Sequence, residues 1–134
     1  MSDRGLTEEQ RLMRQSCREF VDDVVIPFIR GNWQREWDMR PEARLPPEIL
    51  EGAQKVGIRT LGVPEEFGGI ELDPGSEVQT FALIAEEIAR GDSGLADKLV
   101  QNWKVSVLLR HFPTLAPALR GVENAFAPWR RVSS

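Results

Sequence analysis

The sequence of 134 residues contains few side chains that could carry chemistry by themselves. A single histidine, His111, is a candidate general base, and a single cysteine, Cys17, is a candidate nucleophile. His111 stands near the predicted end of a helix, where an imidazole commonly has a structural role beside the helix dipole. Cys17 falls on a predicted apolar face, where a thiol behaves as a small hydrophobe with a raised pKa. Neither residue therefore predicts a catalytic site.

Two pairs of adjacent acids, Asp22-Asp23 and Glu86-Glu87, lie in stretches predicted as helices. Neighbouring side chains on a helix point about 100° apart, so they cannot share a proton as a catalytic pair does. We interpret both pairs as solvated helix faces. Because the chain has one histidine, the paired Glu-x-x-His helices of a di-iron bundle are excluded, and no metal site is expected.

Arginines and tryptophans alternate between residues 30 and 40. They are Arg30, Trp33, Arg35, Trp37 and Arg40. Such interleaving can form a surface for single-stranded nucleic acid. However, the net charge of −4 disfavours an electrostatic footprint for nucleic acid or for an anionic membrane. We therefore interpret the tryptophans as packing residues and expect neither a nucleic-acid nor a membrane partner.

The composition is typical of one globular domain. Apolar residues make up 41% and charged residues 28% of the chain, a balance unlike that of disordered sequences. No apolar run approaches the roughly 20 residues that span a bilayer, and no charged-then-apolar leader precedes Leu6, so the expected compartment is the cytosol (cytoplasmic). The nucleotide-binding patterns G-x-G-x-x-G and P-loop and the hydrolase pattern G-x-S-x-G do not occur.

The first predicted helix begins with a capping box, in which Thr7 and Gln10 bond to each other's backbone. Three- and four-residue spacing predicts one apolar face. That face consists of Leu12, Met13, Cys17, Phe20, Val21, Val24, Val25 and Phe28. Pro27 lacks an amide hydrogen and crowds the preceding turn, so we expect a kink or break there, followed by a short helical continuation.

Three further helices follow. The second is predicted from Pro46-Pro47 to Gly57, with Ile49, Leu50, Ala53 and Val56 facing inward. The third is predicted from a capping box at Ser76 and Gln79 to Gly91, with Val78, Phe81, Ala82, Ala85, Ile88 and Ala89 on its apolar face. The fourth is capped by Asp92 or Ser93, ends near His111, and carries Leu95, Leu99, Val100, Trp103, Val107 and Leu108. With no convincing strand, the predicted fold class is all-α, a bundle of four main helices with one long connection from Ile58 to Gly75.

The order of the segments is more specific than any one of them. "VIP", "EWD", "PPEILEGAQKVGI", "LGVPEEFGG" and "ALIAEEIARGDSGLA" follow one another, and this order resembles the N-terminal helical domain of the acyl-CoA dehydrogenase family. The resemblance covers roughly residues 6–112. We expect a family-like domain over residues 1–120 and a non-family tail over residues 121–134. In "LGVPEEFGG", proline and glycines predict a tight connector.

The resemblance implies a flavoenzyme that removes hydrogens from the α and β carbons of an acyl-CoA thioester and passes a hydride to FAD. In the family, a middle β domain supplies most flavin contacts, and a C-terminal helical bundle supplies the glutamate base. Neither domain is expected within 134 residues, so no catalytic or cofactor-binding residue is assigned, and acyl-CoA binding is expected only with those domains. The part that the resemblance gives to this chain is a wall of the acyl pocket, at the matched positions Ala96, Asp97 and Val100.

Asp97 and Lys98 depart from the family pattern, because a plain fatty-acyl tail would leave a buried charge unpaired. Either the substrate is polar or bulky, or the pocket is not preserved, or both residues face water on an amphipathic helix. A second departure follows Glu123, where "NAFAPWRRVSS" replaces the charged helix that the family pattern would continue with. This ending fits a truncated chain, a vector-derived tail or a shifted reading frame.

Apolar residues surround the fourth predicted helix, more than one face of a small bundle can bury. They are Leu95, Leu99, Val100, Trp103, Val105, Val107, Leu108 and Leu109. We therefore expect self-association or a helical protein partner. Two hypotheses stay open: a truncated or degenerate acyl-CoA dehydrogenase domain that is inactive alone, and a stand-alone helical interaction module, such as a subunit pairing with a longer homologue.

Overall fold

The computed structural model describes residues 4–40 and 43–112. Its helices are α1 (Glu8–Phe20), a π-helical turn (Val21–Val25), α2 (Ile26–Gly31), α3 (Arg35–Asp38), α4 (Pro47–Lys55), α5 (Glu77–Gly91) and α6 (Ser93–His111). In these ranges there is no β-strand, and Leu61 and Ile70 form an isolated bridge. The prediction of an all-α fold with four main helices is confirmed by α1, α4, α5 and α6. The predicted boundary at residue 120 and the tail over residues 121–134 lie outside the described residues.

The start of α1 has the predicted capping box. The Gln10 amide donates to the Thr7 hydroxyl at 3.1 Å, and the Thr7 amide donates to Oε1 of Gln10 at 2.9 Å. The side-chain amide of Gln10 also donates to the hydroxyl of buried Thr80 at 3.0 Å, which ties this helix end to α5. Leu12 does not belong to the predicted apolar face, since 57% of its surface is exposed. The rest of the prediction holds for Cys17, Phe20, Val21 and Val25, which are buried. The buried face also includes Gln10, because this residue lies against α5.

The helix departs from α-helical geometry just before Pro27, and it does not end at this proline. Val21–Val25 form a π-helical turn in which the Ile26 amide donates to the Val21 carbonyl, and the helical path then continues through α2 to Gly31. A proline crowds the carbonyl four residues before it, and the wider π turn accommodates this crowding. The predicted local distortion is therefore present as a π turn, and the continuation consists of α2 and the short α3.

The two ends of α4 agree with the prediction. Pro47 is the first helical residue, where its missing amide hydrogen removes no helical bond. After the helix, Gly57 has φ of 80°, a left-handed conformation that favours glycine. Ile49 and Ala53 are buried, and Leu50 and Val56 pack half-buried against the same core.

The start of α5 differs from the prediction. Ser76 makes no side-chain bond to the helix amides, because its backbone, with φ of −123° and ψ of 1°, is not in the extended conformation of a capping residue. Its hydroxyl donates to the Asp73 carbonyl at 3.5 Å instead. The predicted apolar face is also wrong in part, since Val78, Ala82 and Ala89 are exposed. The buried residues are Thr80, Phe81, Leu83, Ile84, Glu87 and Ile88. This face is broad because α5 packs against both α1 and α6.

The connection between α4 and α5 packs across the α5–α6 pair. Leu61 and Leu72 are buried in the core, and the Ile70 amide donates to the Thr60 carbonyl at 3.0 Å. Phe81 of α5 and Trp103 of α6 stack with their ring centroids 4.1 Å apart. A Cβ atom at Gly62 would lie 3.0 Å from the Phe81 ring, so the connector needs glycine to approach this pair. The long connection is thus a packed structural element.

Two adjacent glycines in this connector need glycine for different reasons. Gly68 has φ of 78° but open space around it, whereas a Cβ atom at Gly69 would collide with the backbone carbonyl of Val63. We predict that Gly69→Ala lowers the free energy of unfolding by about 3 kcal/mol, at the upper end for overpacking. Gly68→Ala should lower it by only about 1 kcal/mol, the cost of the left-handed backbone. Urea denaturation followed by circular dichroism measures both, and an equal or reversed order would contradict the collision.

Candidate functional site

The proposed acyl-wall residues lie in the first two turns of α6, and Asp92 sets the start of this helix. Oδ1 of Asp92 accepts the Leu95 amide at 2.8 Å, and the Asp92 carbonyl accepts the Ala96 amide at 3.1 Å. The predicted cap is therefore Asp92. The same Oδ1 accepts a second bond, at 2.8 Å, from Nη2 of Arg35 in α3. Arg35 is buried, and no pattern in the sequence identified it as a partner of α6.

The three predicted wall residues have different environments. Ala96 is buried within the core cluster beside Leu95 and Leu99, and Val100 is partly buried against that cluster. The Asp97 side chain is 63% exposed, and Lys98 is exposed too. The structure thus brings Ala96 and Val100 to the apolar side of α6 and Asp97 to its surface, which is the arrangement of an amphipathic helix.

The charge of Asp97 is held by polar partners on its own helix. Nε2 of Gln101 donates to Oδ1 of Asp97 at 3.0 Å, and Nζ of Lys104 donates to the same atom at 3.2 Å. These hydrogen bonds, with the positive charge of Lys104, lower the pKa of Asp97 below its ordinary value. Asp97 is therefore an ionised carboxylate at neutral pH, and any acyl group that contacts it meets a negative charge.

Glu87 is not part of a solvated face, so that prediction is wrong. Its side chain is only 2% exposed and accepts bonds from Nε of Arg14 at 2.7 Å and from Nη2 of Arg18 at 2.6 Å. Arg90 lies 3.5 Å away on the other carboxylate oxygen. Glu86, by contrast, is exposed as predicted. The acidic pair therefore has one solvent-facing member and one that joins α5 to α1.

The ion-pair partners of Glu87 disfavour a role as a general base. Burial by itself would raise this pKa, but the hydrogen bonds from Arg18 and Arg14 and their charges lower it from an ordinary 4.5 to about 2. A carboxylate so stabilised in its ionised form is a weak proton acceptor at neutral pH. The cluster is an ion-pair network that joins two helices.

Cys17 and His111 have the structural environments that the sequence predicted. Burial raises the pKa of the Cys17 thiol to about 12, so the nucleophilic thiolate is scarce. His111 is exposed at the end of α6, and its Nδ1 lies 2.9 Å from the Val107 carbonyl. Neither side chain belongs to a catalytic arrangement among the described residues.

The tryptophans of the segment 30–40 do not pack into the core, so the packing interpretation is wrong for them. Trp33 is 68% exposed and Trp37 is 80% exposed. Arg35, between them, is buried. Trp33 lies in the turn before α3, and Trp37 lies within this four-residue helix. Two large exposed aromatic side chains are a feature of contact surfaces.

Two internal contacts show polar and glycine positions used within the chain itself. At Gly91, a Cβ atom would meet Val21 and Val25 at 2.9 Å. The buried amide of Gln10 is bonded to Thr80 within the chain. The expectation that this chain alone holds no flavin stays a prediction.

Residues 4–40 and 43–112 also offer no group of three His, Cys, Asp or Glu side chains that could hold a metal ion. Over the same part of the chain, no helix is long and apolar enough to cross a membrane. Val105 and Leu109, which the sequence placed on the apolar surface of α6, lie outside the described side chains. Leu108 and Phe112 are exposed at the end of that helix.

This geometry defines the class of protein: an all-α domain of four main helices with a long connector packed across two of them. The family described as acyl-CoA dehydrogenase, N-terminal domain, matches residues 7–114. The chain therefore belongs to the acyl-CoA dehydrogenase family through this domain. Proteins of this family generally depend on FAD. The resemblance drawn from the order of the sequence segments is confirmed.

Curated relatives are similar to most of the chain. The chain is 38% identical over 91 residues to (2S)-methylsuccinyl-CoA dehydrogenase of Cereibacter sphaeroides, covering 68% of this chain and 15% of that protein. It is 30% identical over 97 residues to glutaryl-CoA dehydrogenase of Desulfococcus multivorans, covering 72% and 23%.

A third relative is the oxygenase subunit HsaA of a flavin-dependent monooxygenase of Mycobacterium tuberculosis, 29% identical over 104 residues, covering 76% of this chain and 25% of that protein. The chain thus spans a quarter or less of the length of these three relatives. No solved structure gives a significant match.

The Glu87 network predicts a defined acid sensitivity. Because the pKa of Glu87 is lower in the folded chain than its ordinary 4.5, its stabilisation is complete above about pH 4.5 and is lost as the pH falls towards 2, by about 3 kcal/mol. Glu87→Gln should destabilise the chain by about 3 kcal/mol at neutral pH, and its deficit should shrink below pH 4.5. Urea denaturation at several pH values measures this.

The neighbouring acid supplies the matched control for that experiment. Glu86→Gln, at an exposed position, should stay within about 1 kcal/mol of the wild type at every pH. If the Glu87→Gln and wild-type curves remained parallel down to about pH 2, the buried ion-pair account would be wrong.

Proposed function

We propose that the chain serves as the N-terminal helical domain of an FAD-dependent acyl-CoA dehydrogenase, whose complete form performs α,β-dehydrogenation of an acyl-CoA thioester. The observation that carries the proposal is the family match over residues 7–114. FAD, when bound, accepts the hydride removed from the acyl group. The flavin contacts and the catalytic base belong to domains other than this one, so this chain is inactive alone. The proposed domain covers residues 1–120, ahead of a non-family tail at 121–134, and the proposed compartment is the cytosol.

The proposed contribution of the chain is the wall at the acyl end of the substrate pocket, from Ala96, Asp97 and Val100. Support comes from their position in the first two turns of α6, whose start is held by Asp92. Val100 is partly buried and Asp97 is exposed, so both side chains have surface that a neighbouring domain or an acyl group could contact. Ala96 lies behind them in the core.

The ionised Asp97 bears on the substrate class. Covering this carboxylate with a plain aliphatic tail would remove water from a charge without giving it a partner beyond Gln101 and Lys104. The acyl group is therefore polar or bulky enough to leave Asp97 hydrated.

A second candidate function is a helical interaction module that self-associates or pairs with a longer homologue. The exposed indoles of Trp33 and Trp37 favour it, because tryptophan is frequent at the centres of protein interfaces. In this alternative the chain keeps the family shape and acts through contact with another protein.

We predict that a graft restores a working enzyme. Residues 7–114 replace the matching segment of (2S)-methylsuccinyl-CoA dehydrogenase, and the graft should hold FAD and oxidise an acyl-CoA while the 134-residue chain stays colourless.

In the graft, Asp97→Ala should lower KM for a saturated aliphatic acyl-CoA about three- to tenfold with little change in kcat, because a charge beside the tail is removed. Flavin absorbance and steady-state kinetics provide the readouts.

Glu51→Ala, at an exposed position on α4, is the control and should change neither KM nor kcat. A graft that folds without binding flavin would count against the proposed function. A graft that is active but indifferent to Asp97→Ala would show that Asp97 faces water and is not part of the wall.

The interaction hypothesis predicts association through the tryptophan surface. In sedimentation velocity, the wild-type chain should shift to larger species as its concentration rises, and the double variant Trp33→Ser, Trp37→Ser should weaken this association at least about tenfold, as the loss of two aromatic contacts would. Leu12→Ser, at another exposed apolar position, serves as control. A strict monomer at high concentration would argue against self-association.

A further inference from the structure

Arg35 anchors a segment that is otherwise at the surface. Among the described side chains of residues 31–40 it alone is buried, with tryptophans exposed on both sides of it. Its partner, Asp92, is 57 residues away in sequence and is itself only 18% exposed. A buried guanidinium needs a counter-charge, because leaving it unpaired costs several kcal/mol. The pair therefore connects α3 firmly to the start of α6.

The atoms of Asp92 are shared between this connection and the helix. Oδ1 of Asp92 accepts both the Arg35 guanidinium and the Leu95 amide, each at 2.8 Å. The carbonyl of the same residue accepts the amide of Ala96. An aspartate can cap a helix without an arginine; here the guanidinium also fixes the direction in which the capping carboxylate points.

The junction before α6 leaves little room for adjustment. Asp92 is the single residue between α5 and α6, and its backbone is extended. On the α5 side, a Cβ atom at Gly91 would meet Val21 and Val25 of the π turn at 2.9 Å. With α5 held against the π turn, the remaining freedom at the start of α6 is rotation about Asp92, which the bond to Arg35 restricts.

We propose that Arg35 and Asp92 form a positioning pair that fixes the first turn of α6, and with it the orientation of Ala96 and Val100. The consequence for an acyl pocket rests on the function proposed above. The positioning itself is a property of the chain alone. It gives a structural role to Arg35, which lies between the exposed tryptophans.

Amide hydrogen exchange on the full-length chain tests the pair. In Arg35→Met, the charged hydrogen bond between Arg35 and Asp92 is lost. The amides of Leu95 and Ala96, which Asp92 accepts, should therefore exchange about tenfold faster or more. The amides of Leu83 and Ile88, buried in α5, report global unfolding and are the internal reference. Asp92→Asn keeps an acceptor for the Leu95 amide but removes the charge, so it should produce a similar local change.

Two further variants sharpen the test. In the double variant Arg35→Met, Asp92→Asn, the Leu95 and Ala96 amides should exchange no faster than in the more affected single variant. The reason is that each single variant already removes the charged bond between these two residues. Arg35→Lys keeps the charge and should recover part of the protection. Should Arg35→Met fail to fold, Asp92→Asn and Arg35→Lys carry the same comparison.

Two outcomes would overturn the proposal. Equal acceleration at Leu95, Ala96, Leu83 and Ile88 would mean that the pair only adds global stability. Acceleration confined to the amides of Trp37, Asp38 and Met39 would mean that Arg35 only tethers its own segment. Since exchange is measured without acyl-CoA or flavin, the pair can stand even if the graft experiment refutes the proposed enzyme function.

Discussion

The carboxylate of Glu87 and the two arginines of α1 that bind it determine how α1 and α5 lie together. A carboxylate that is 2% exposed would be strongly destabilising without partners, because its hydration is lost. Arg14 and Arg18 lie one helical turn apart on α1, and both reach Glu87. This arrangement allows one register of α1 against α5. In that register the π turn beyond α1 meets Gly91, where only a glycine leaves enough room.

The register of α1 on α5 leaves the opposite side of α5 for α6 and for the connector. Phe81 and Trp103 stack there, and the indole of Trp103 donates to Glu77 at 3.3 Å. Several side chains that could take part in catalysis have structural roles in this framework. Glu87 belongs to an ion-pair network, Cys17 lies in the core, and Asp92 caps a helix. A domain that uses its reactive groups for packing is suited to shaping a pocket, and this agrees with the proposed role beside flavin-binding domains.

Local chemistry predicted most helix ends and some of the burial. The capping box of Thr7 and Gln10, the start at Pro47, the left-handed Gly57 and the Asp92 cap depend on residues within four positions of one another, so short sequence patterns contain the necessary information. The capping box at Ser76 failed because the preceding connector leaves Ser76 with φ of −123° and ψ of 1°, whereas a capping residue is extended. Of the candidate site, the family resemblance suggested the proposed wall residues, which stay a prediction, and the sequence contained no signal for Arg35.

What the sequence alone determined is the all-α class, the order of the helices and the family, since these follow from periodicity, end signals and ordered segments along the chain. Tertiary structure decided which polar groups are buried. Glu87 is buried because Arg14 and Arg18 of α1 reach it, whereas its neighbour Glu86 is exposed. Arg35 is buried between two exposed tryptophans because Asp92 lies within its reach. The partners in these pairs are 73 and 57 residues apart. A charge can be buried only where folding brings an oppositely charged partner to it. Because these partners are far apart in the sequence, no local sequence pattern predicts which charges are buried.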